Sequence, residues 1–315
     1  MIRSVRRQCL FAICALVLVA AGVPAGAQTL EVVRIASPAV DVTGNLFYAM
    51  DLGYFKNAGL DVQLTQLSAG APVVAAVIGG AVEMGSANFV AISAAHLGGA
   101  PLVLVAPSGA NSVKSPIDAI VVAKDSPIKT AKDLNGKTMM TSALQNILQV
   151  QADAWIDKNG GDWKSIKWVE APPPQEGAAV ASGHVDAATI TETFLSAAIG
   201  TGDVRLLANT GAEISPLVVE GGYFCTTDYA KSHAELIKKF SKAVLDAGKW
   251  ANSHRDEAAA IMAKYAKSSG KSTGHAVYPE TFKARDLQPL IDASAKYGAL
   301  KSSFNAADLV IPELR

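Results

Sequence analysis

Cysteine is nearly missing from this chain: three occur in 315 residues, and two of them, Cys9 and Cys14, fall in an N-terminal stretch that has the marks of an export signal. Arg3, Arg6 and Arg7 precede an apolar run from Leu10 to Ala21, and the small residues Ala25 and Ala27 then form an A-x-A site, which predicts cleavage between Ala27 and Gln28. The run is short against the roughly 20 residues that a membrane span needs, and no second candidate follows it. Arg6-Arg7 also resembles part of a twin-arginine signal, so the export route stays open. Neither early cysteine stands at the end of the apolar run, where a lipid-modified one would. Cys225 is therefore the sole cysteine expected in the mature chain, which excludes an intramolecular disulfide even in an oxidising compartment. Stability must come from an ordinary core, for which 50% hydrophobic residues are ample.

An excess of positive charge is missing too. The whole chain has 28 basic and 28 acidic residues, and loss of the three arginines leaves 28 − 3 = 25 against 28, a mature net charge of three negative. Nothing in that balance attracts nucleic acid or an anionic membrane surface. Internal repeats, heptad runs and low-complexity tracts are absent apart from mild alanine richness and a turn-like "APPPQEG" at 171–177.

Catalytic signatures are absent as well. There is no G-x-S-x-G elbow, no H-E-x-x-H and no C-x-x-C, and the five histidines, His96, His184, His233, His254 and His275, are scattered without metal-ligand spacing. "NGKT" at 135–138 mimics the end of a phosphate-binding loop, but Ala131 stands where that pattern needs glycine, so a turn into a strand is expected. Glu192 is flanked by two threonines at an expected strand end, yet a single carboxylate makes no general acid/base pair. Neither a metal, nor a cofactor, nor catalysis is expected.

What the chain does have, from Glu31 to about Asn209, is alternation of strand and helix patterns, the habit of α/β folds whose parallel strands are covered by helices on both faces. "EVVRIA" reads as a strand, and a helix capped at Thr43 or Asn45 carries Leu46, Phe47, Met50 and Phe55 to a stop at Gly59. "DVQLTQL" alternates as the next strand. "APVVAAVIGG" (helix), "VEMGSA" (strand), "NFVAISAAHLGG" (helix) and "PLVLVA" (strand) continue the series. A second series starts near Ile117 with "IDAIVVA" and "KTMMTS". A long helix then runs to Asn159 with Leu144, Leu148, Ala152, Trp155 and Ile156 on one stripe, and "IKWVEA", "VDAATI" and "VRLLAN" add strands. After "GGYFCTTDYA" only helices are expected, over 234–265 and 279–297. The remaining 288 residues suggest two domains. The simplest division is a signal peptide at 1–27, a first lobe at 28–117, a second lobe at 118–223 and a helical tail at 224–315 that returns to the first lobe. Crossings are placed near Ile117 to Ala123 and Tyr223 to Thr227.

In open parallel sheets ligands bind outside the carboxyl ends of the strands. The residues expected there are small and polar: Ser37, Asp41 and Asn45 after the first strand, Ser86, Ala87 and Asn88 after "VEMG", and Ser108 and Asn111 after "PLVLVA". In the second series they are Thr141, Ser142 and Gln145 after "KTMM", with Glu192 and Thr193 after "DAATI". Each suits a helix cap equally well, but their recurrence at the strand ends of both halves favours a binding cleft. An electron-rich solute group is expected at the N-terminus of the helix after "KTMMTSA".

"LFYAMDLGYFKNAGLDVQL", "GGAVEMGSANFVAI", "VVAKDSPIKTAKDLNGKTMM" and "ASGHVDAATITETFLSA", which together span most of the mature chain, resemble the solute-binding proteins of the nitrate/sulfonate/taurine type, a group that includes binders of thiamine precursors. The resemblance implies a two-lobed periplasmic binding protein fold of type II, each lobe a mainly parallel sheet flanked by helices. It implies a monomer that delivers a small organic solute, such as a sulfonate, a carboxylate or an aromatic acid, to an ABC permease of the inner membrane. It also implies that Ser86 to Asn88, Thr141 to Gln145 and Glu192 to Thr193 face that solute. Two alternatives remain: a sensor subunit of the same fold, and a binder or synthase-like protein for a thiamine pyrimidine, although one cysteine cannot supply the cysteine-rich iron motif of the synthases. The chain departs from the pattern in having Thr193 where relatives often carry proline, and in having no arginine or lysine in the expected ligand loops except Lys114.

Overall fold

A computed structural model describes residues 29–192, 194–267 and 274–314. The expected signal segment and Thr193 lie outside the described residues. The chain opens with β1 (Glu31–Ser37), α1 (Gly44–Asp51), α2 (Tyr54–Asn57), β2 (Leu60–Gln66), α3 (Gly70–Ile78), β3 (Met84–Asn88), α4 (Phe89–Leu97) and β4 (Leu102–Pro107). The single helix expected over 43–58 is broken at Gly53, whose φ of 78° starts α2 on a new course. A three-residue strand, β5 (Ala110–Ser112), leads away to β6 (Asp118–Ala123), β7 (Thr138–Thr141), α5 (Ile147–Lys158), β8 (Lys167–Glu170), α6 (Pro173–Ala181), β9 (Ala187–Thr191), α7 (Phe194–Gly200) and β10 (Val204–Asn209). Then β11 (Leu217–Val219) leads back to β12 (Gly221–Thr226), α8 (Thr227–Ser232), α9 (Ala234–Ser253), α10 (Arg255–Ala266) and α11 (Gln288–Lys296).

Two five-stranded sheets result, in the orders β2-β1-β3-β12-β4 and β10-β6-β9-β7-β8. In each, four strands point one way and one is reversed: β12 is antiparallel to both β3 and β4, and β6 to both β9 and β10. The reversed strand is in both cases the one by which the chain enters a lobe from the crossing. The crossing itself is an antiparallel ribbon in which Val218 faces Asn111 and Val219 faces Ala110. This corrects the expected crossing segments, which lie mostly inside β6 and β12, interior strands of the two sheets.

Both sheets are covered on both faces, and period-two alternation sorts their side chains. Leu102, Leu104 and Phe224 face α3, α4 and α11, whereas Val103, Val105, Tyr223 and Cys225 face α1, α9 and α10. In the second sheet Ile120 and Val122 join the cluster under α5, while Ala119 and Val121 join the one under α6 and α7. The α9 stripe Leu236, Ile237, Phe240, Ala243, Val244 and Ala247 is buried on the first sheet. The prolines of 172–174, read as a turn, open α6 instead, because proline at the first helical position loses no hydrogen bond. The two lobes also touch through the last helix: Lys296 pairs with Asp157 at 2.8 Å, the Tyr297 hydroxyl donates to the same carboxylate at 3.0 Å, and Trp163 meets the Tyr297 ring edge-on. No helix among the described residues is long and apolar enough to cross a membrane.

Candidate functional site

Between the sheets lies a cleft of about 390 Å³, and its walls come from both. Almost every strand that runs in the majority direction delivers its carboxyl end to it. Pro38, Val40, Val42 and Thr43 follow β1, Ser68 to Ala71 follow β2, Asn88 ends β3, Ser108 follows β4, Ser142 to Leu148 follow β7, Pro173 follows β8 and Thr191 ends β9. The reversed strand β12 contributes its beginning, Glu220 and Gly221. Five helices of eight residues or more, α1, α3, α4, α5 and α6, start at this cleft. Of these, α6 opens on Pro173 and Pro174, which have no N–H, and α1 continues a three-residue 3-10 turn, Asp41–Thr43, with the Gly44 N–H on the Asp41 carbonyl. Free N–H groups therefore converge from α3, α4 and α5. Their caps differ. Asn88 accepts from the Ala91 N–H at 3.0 Å and closes α4, and Asn146 accepts from the Gln149 N–H at 2.9 Å and closes α5. Ala69 caps α3 without any side-chain bond, which leaves that terminus open.

The structure divides the expected site residues. Ala87, Asn88, Ser108, Ser142 and Gln145 line the cleft. Ser142 accepts from the Asn146 amide at 2.8 Å, Gln145 sits at φ 56° with its N–H on Gln149 Oε1, and the Ser108 hydroxyl is buried with no hydrogen-bond partner. The others turn elsewhere. Ser37 is buried and donates to the Pro38 carbonyl, and Ser86 is buried opposite Tyr223 in the β3–β12 register. Asn45 accepts from the Tyr223 hydroxyl at 2.6 Å, and Thr141 donates to Asn146 Oδ1 at 3.1 Å. Asp41 accepts from the Ala276 N–H, and burial, only partly offset by that bond, pushes its carboxyl up to about 7. Glu192, also away from the cleft lining, accepts from the Ser196 hydroxyl at 2.7 Å and from the Gly274 N–H at 3.2 Å, which ties the second lobe to the tail. The helix expected to begin straight after "KTMMTSA" starts only at Ile147, and Leu144, assigned to its buried stripe, is 49% exposed on the cleft lip.

Asn111 enters a buried network at the foot of the crossing ribbon. Its amide donates to Asp118 Oδ2 at 3.2 Å and to the Thr210 carbonyl at 3.0 Å, and its Oδ1 accepts from the Ile117 N–H. Gln151 donates to Glu220 Oε1 at 2.6 Å and accepts from the Thr210 hydroxyl at 3.1 Å. Among the described residues Glu220 is the only ionisable one in the cleft lining. Its sequence neighbourhood, a hydrophobic "PLVVE", carries no polar pattern that would single it out. The apolar part of the lining, Val40, Val42, Val74, Val90, Ile147 and Leu148 among others, also escaped a search for polar residues at strand ends. Among the described residues no group of three His, Cys, Asp or Glu side chains could hold a metal ion.

The fold matches solved periplasmic binding proteins. The alkanesulfonate-binding protein SsuA from Xanthomonas axonopodis pv. citri bound to MOPS superimposes with a TM-score of 0.74 at 19% identity, covering 89% of this chain and 98% of that one. The periplasmic nitrate-binding protein NrtA from Synechocystis PCC 6803 gives 0.74 at 13% identity, covering 90% and 87%. A protein of Escherichia coli (strain K12) named as an aliphatic sulfonates-binding protein is 28% identical over 206 residues, 64% of this chain. The match spans 61% of the length of that curated relative. The sequence model of the NMT1/THI5-like family matches residues 41–258, well over half of the chain and all of the cleft-forming strands from β2 to β12. The chain belongs to the NMT1/THI5-like family.

Proposed function

We propose that this protein is an exported, monomeric solute-binding component of an ABC importer, without chemistry of its own, whose lobes close over a small organic solute and present it to a permease. The observation that carries the reading is the cleft itself, walled by the carboxyl ends of strands from two sheets that are joined through a three-residue ribbon. The names of its relatives point to sulfonates and nitrate as the kind of solute. The cleft agrees with an electron-rich group at one end, held at the open N-terminus of α3, because asparagines cap α4 and α5, prolines without N–H open α6, and α1 continues a 3-10 turn that takes its first N–H. This moves the anchoring point from the α5 end expected from sequence to the first lobe. Much of the rest of the lining, Val40, Val42, Val74, Val90, Ile147 and Leu148 among it, is apolar and suits a short hydrocarbon body.

A thermal-shift screen of small sulfonates, carboxylates and aromatic acids tests the reading. A solute present at about 100 times its dissociation constant adds roughly 2.7 kcal/mol of stability. Ala69→Asp then tests the anchor. A carboxylate at this cap position improves the helix by about 0.5–2 kcal/mol, but it repels a bound anion about 4 Å away by roughly 1–4 kcal/mol. Affinity should fall about tenfold or more while the unliganded melting temperature holds or rises. An unchanged affinity would remove α3 from the site, and a panel without a single stabilising solute would count against the importer reading itself.

A further inference from the structure

Glu220 is 2% exposed and Asp118 is fully buried, and among the described residues no lysine, arginine or histidine bonds to either. Their donors are two amides: Gln151 serves Glu220 Oε1, and Asn111 serves Asp118 Oδ2. Among the described residues Asp118 Oδ1 is buried with no partner among nitrogen and hydroxyl donors. Two full negative charges cannot be held side by side on so few donors in an apolar interior, and such pairs keep one proton between them. The two side chains meet, so a proton kept on Glu220 would give Asp118 a further donor.

The pair also has a place in the cleft. Glu220 lines it beside Gly221 and Ser108, and Gln151 lies one helical turn inward from the lining residues Ile147 and Leu148. Ala87 separates this spot from the open end of α3, because its methyl group packs against Gly70 while its carbonyl packs against Gly221. The unpartnered Ser108 hydroxyl stands at the Glu220 side, within 3.1 Å of where a Gly221 side chain would begin.

We propose that Glu220, sharing one proton with Asp118, sets the charge the cleft admits at its inner end: the pair turns away a second anionic group and accepts an N–H or O–H donor or a protonated amine. The inference rests on the reading of the cleft as a solute site and adds to it a selectivity residue. The solute class it names is bifunctional, with an electron-rich group toward α3 and a donor toward Glu220. Burial, with Asp118 second, raises the Glu220 carboxyl well above the usual range, which agrees with a retained proton. The charged groups around the pair do not alter the sign. Asp41 feels both Asp118 and Glu192, and Arg255 acts on Asp41; no cation is among the groups that act on Glu220.

The test uses three probes with one shared end: propane-1-sulfonate, 3-aminopropane-1-sulfonate and propane-1,3-disulfonate, titrated by calorimetry into the wild type and Glu220→Gln. The wild type should bind the amine at least tenfold more tightly than the disulfonate, and Glu220→Gln should shrink that ratio. Equal affinities in the wild type, or an unchanged ratio in the variant, would overturn the inference while the solute-binding reading stands. If the wild type bound none of the three, the sulfonate reading would fail, and a ligand-free arm would still decide the proton. In that arm Glu220→Gln and Asp118→Asn are melted against the wild type from about pH 5 to about pH 9. A folded state that keeps a proton the unfolded chain releases loses stability as pH rises through this window. Both variants should therefore show a shallower fall, and parallel slopes would overturn the shared proton.

Discussion

Glu176 shows what a single buried group does to the chain. It lies in the first turns of α6 with both carboxyl oxygens buried and without hydrogen-bond partners, and burial alone pushes it up to about 9. The folded state thus keeps a proton that the unfolded chain gives up above about pH 4.3. Stability is full below that value and falls as pH rises toward 9, at a rate of at most about 1.4 kcal/mol per pH unit for one proton. Asp41 and Asp153, both pushed up to about 7 chiefly by burial, add falls of the same sign that end near neutrality. Glu176→Met should therefore stabilise the protein at pH 8 by about 1–3 kcal/mol in urea unfolding and flatten the decline above neutrality. A less stable variant would mean that the carboxyl is needed where it stands. The same scale explains why only part of the site was legible. Small polar residues at strand ends are easy to find, but neighbours there point to opposite sides. Ser142 enters the cleft, whereas Thr141 turns inward to Asn146, and at the end of β3 Ala87 and Asn88 reach the cleft while Ser86, deeper in the strand, stays beside Tyr223 within the sheet. Without the register of the sheet, residue type cannot tell these cases apart.

The start of α5 carries the second-lobe wall. Asn146 holds three positions at once: it accepts from the Gln149 N–H and the Thr141 hydroxyl and donates to Ser142. Asn146→Ala should cost about 1–2 kcal/mol, and by loosening 142–145 it should weaken solute binding as well, a pairing that melting and titration of one variant would reveal. Gln145→Gly should behave oppositely in stability. Gln145 occupies a left-handed conformation at φ 56°, which glycine adopts freely, so the melting temperature should hold or rise by the equivalent of about 0.5–1 kcal/mol. The long elements were readable because their periods are. The misread boundaries have local causes: Leu144 stands four residues before Leu148 and so imitates the helical stripe, and three successive prolines conceal a helix that needs no N–H where they fall. The strands β5 and β11 have three residues each, too few for any period to register.

At the scale of the whole molecule, the two-lobed α/β arrangement could be read from the restart of the strand–helix series near Ile117, while the crossing was displaced because the reversed strands β6 and β12 look in sequence like any other buried strand. If the lobes close about the β5–β11 ribbon, a saturating solute should reduce the radius of gyration in small-angle scattering, and an unchanged radius would argue for a rigid cleft. Release of the α11–α5 contact, through Asp157→Ala, should enlarge the unliganded radius if that contact holds the closed form. The position of β12 has a further consequence, for the order in which the protein is made. It fits between β3 and β4, so the edge strand β4 has no place in the first sheet until residues 221–226 have left the ribosome. The second sheet is built from one uninterrupted stretch, Asp118 to Asn209, and can be complete before that point. The lobe that begins first in the chain is thus finished last, with the facing edges of β3 and β4 open to mispairing meanwhile. If the chain is exported unfolded, as the proposed function allows, it gains from this delay, because an interior strand of its first sheet arrives late.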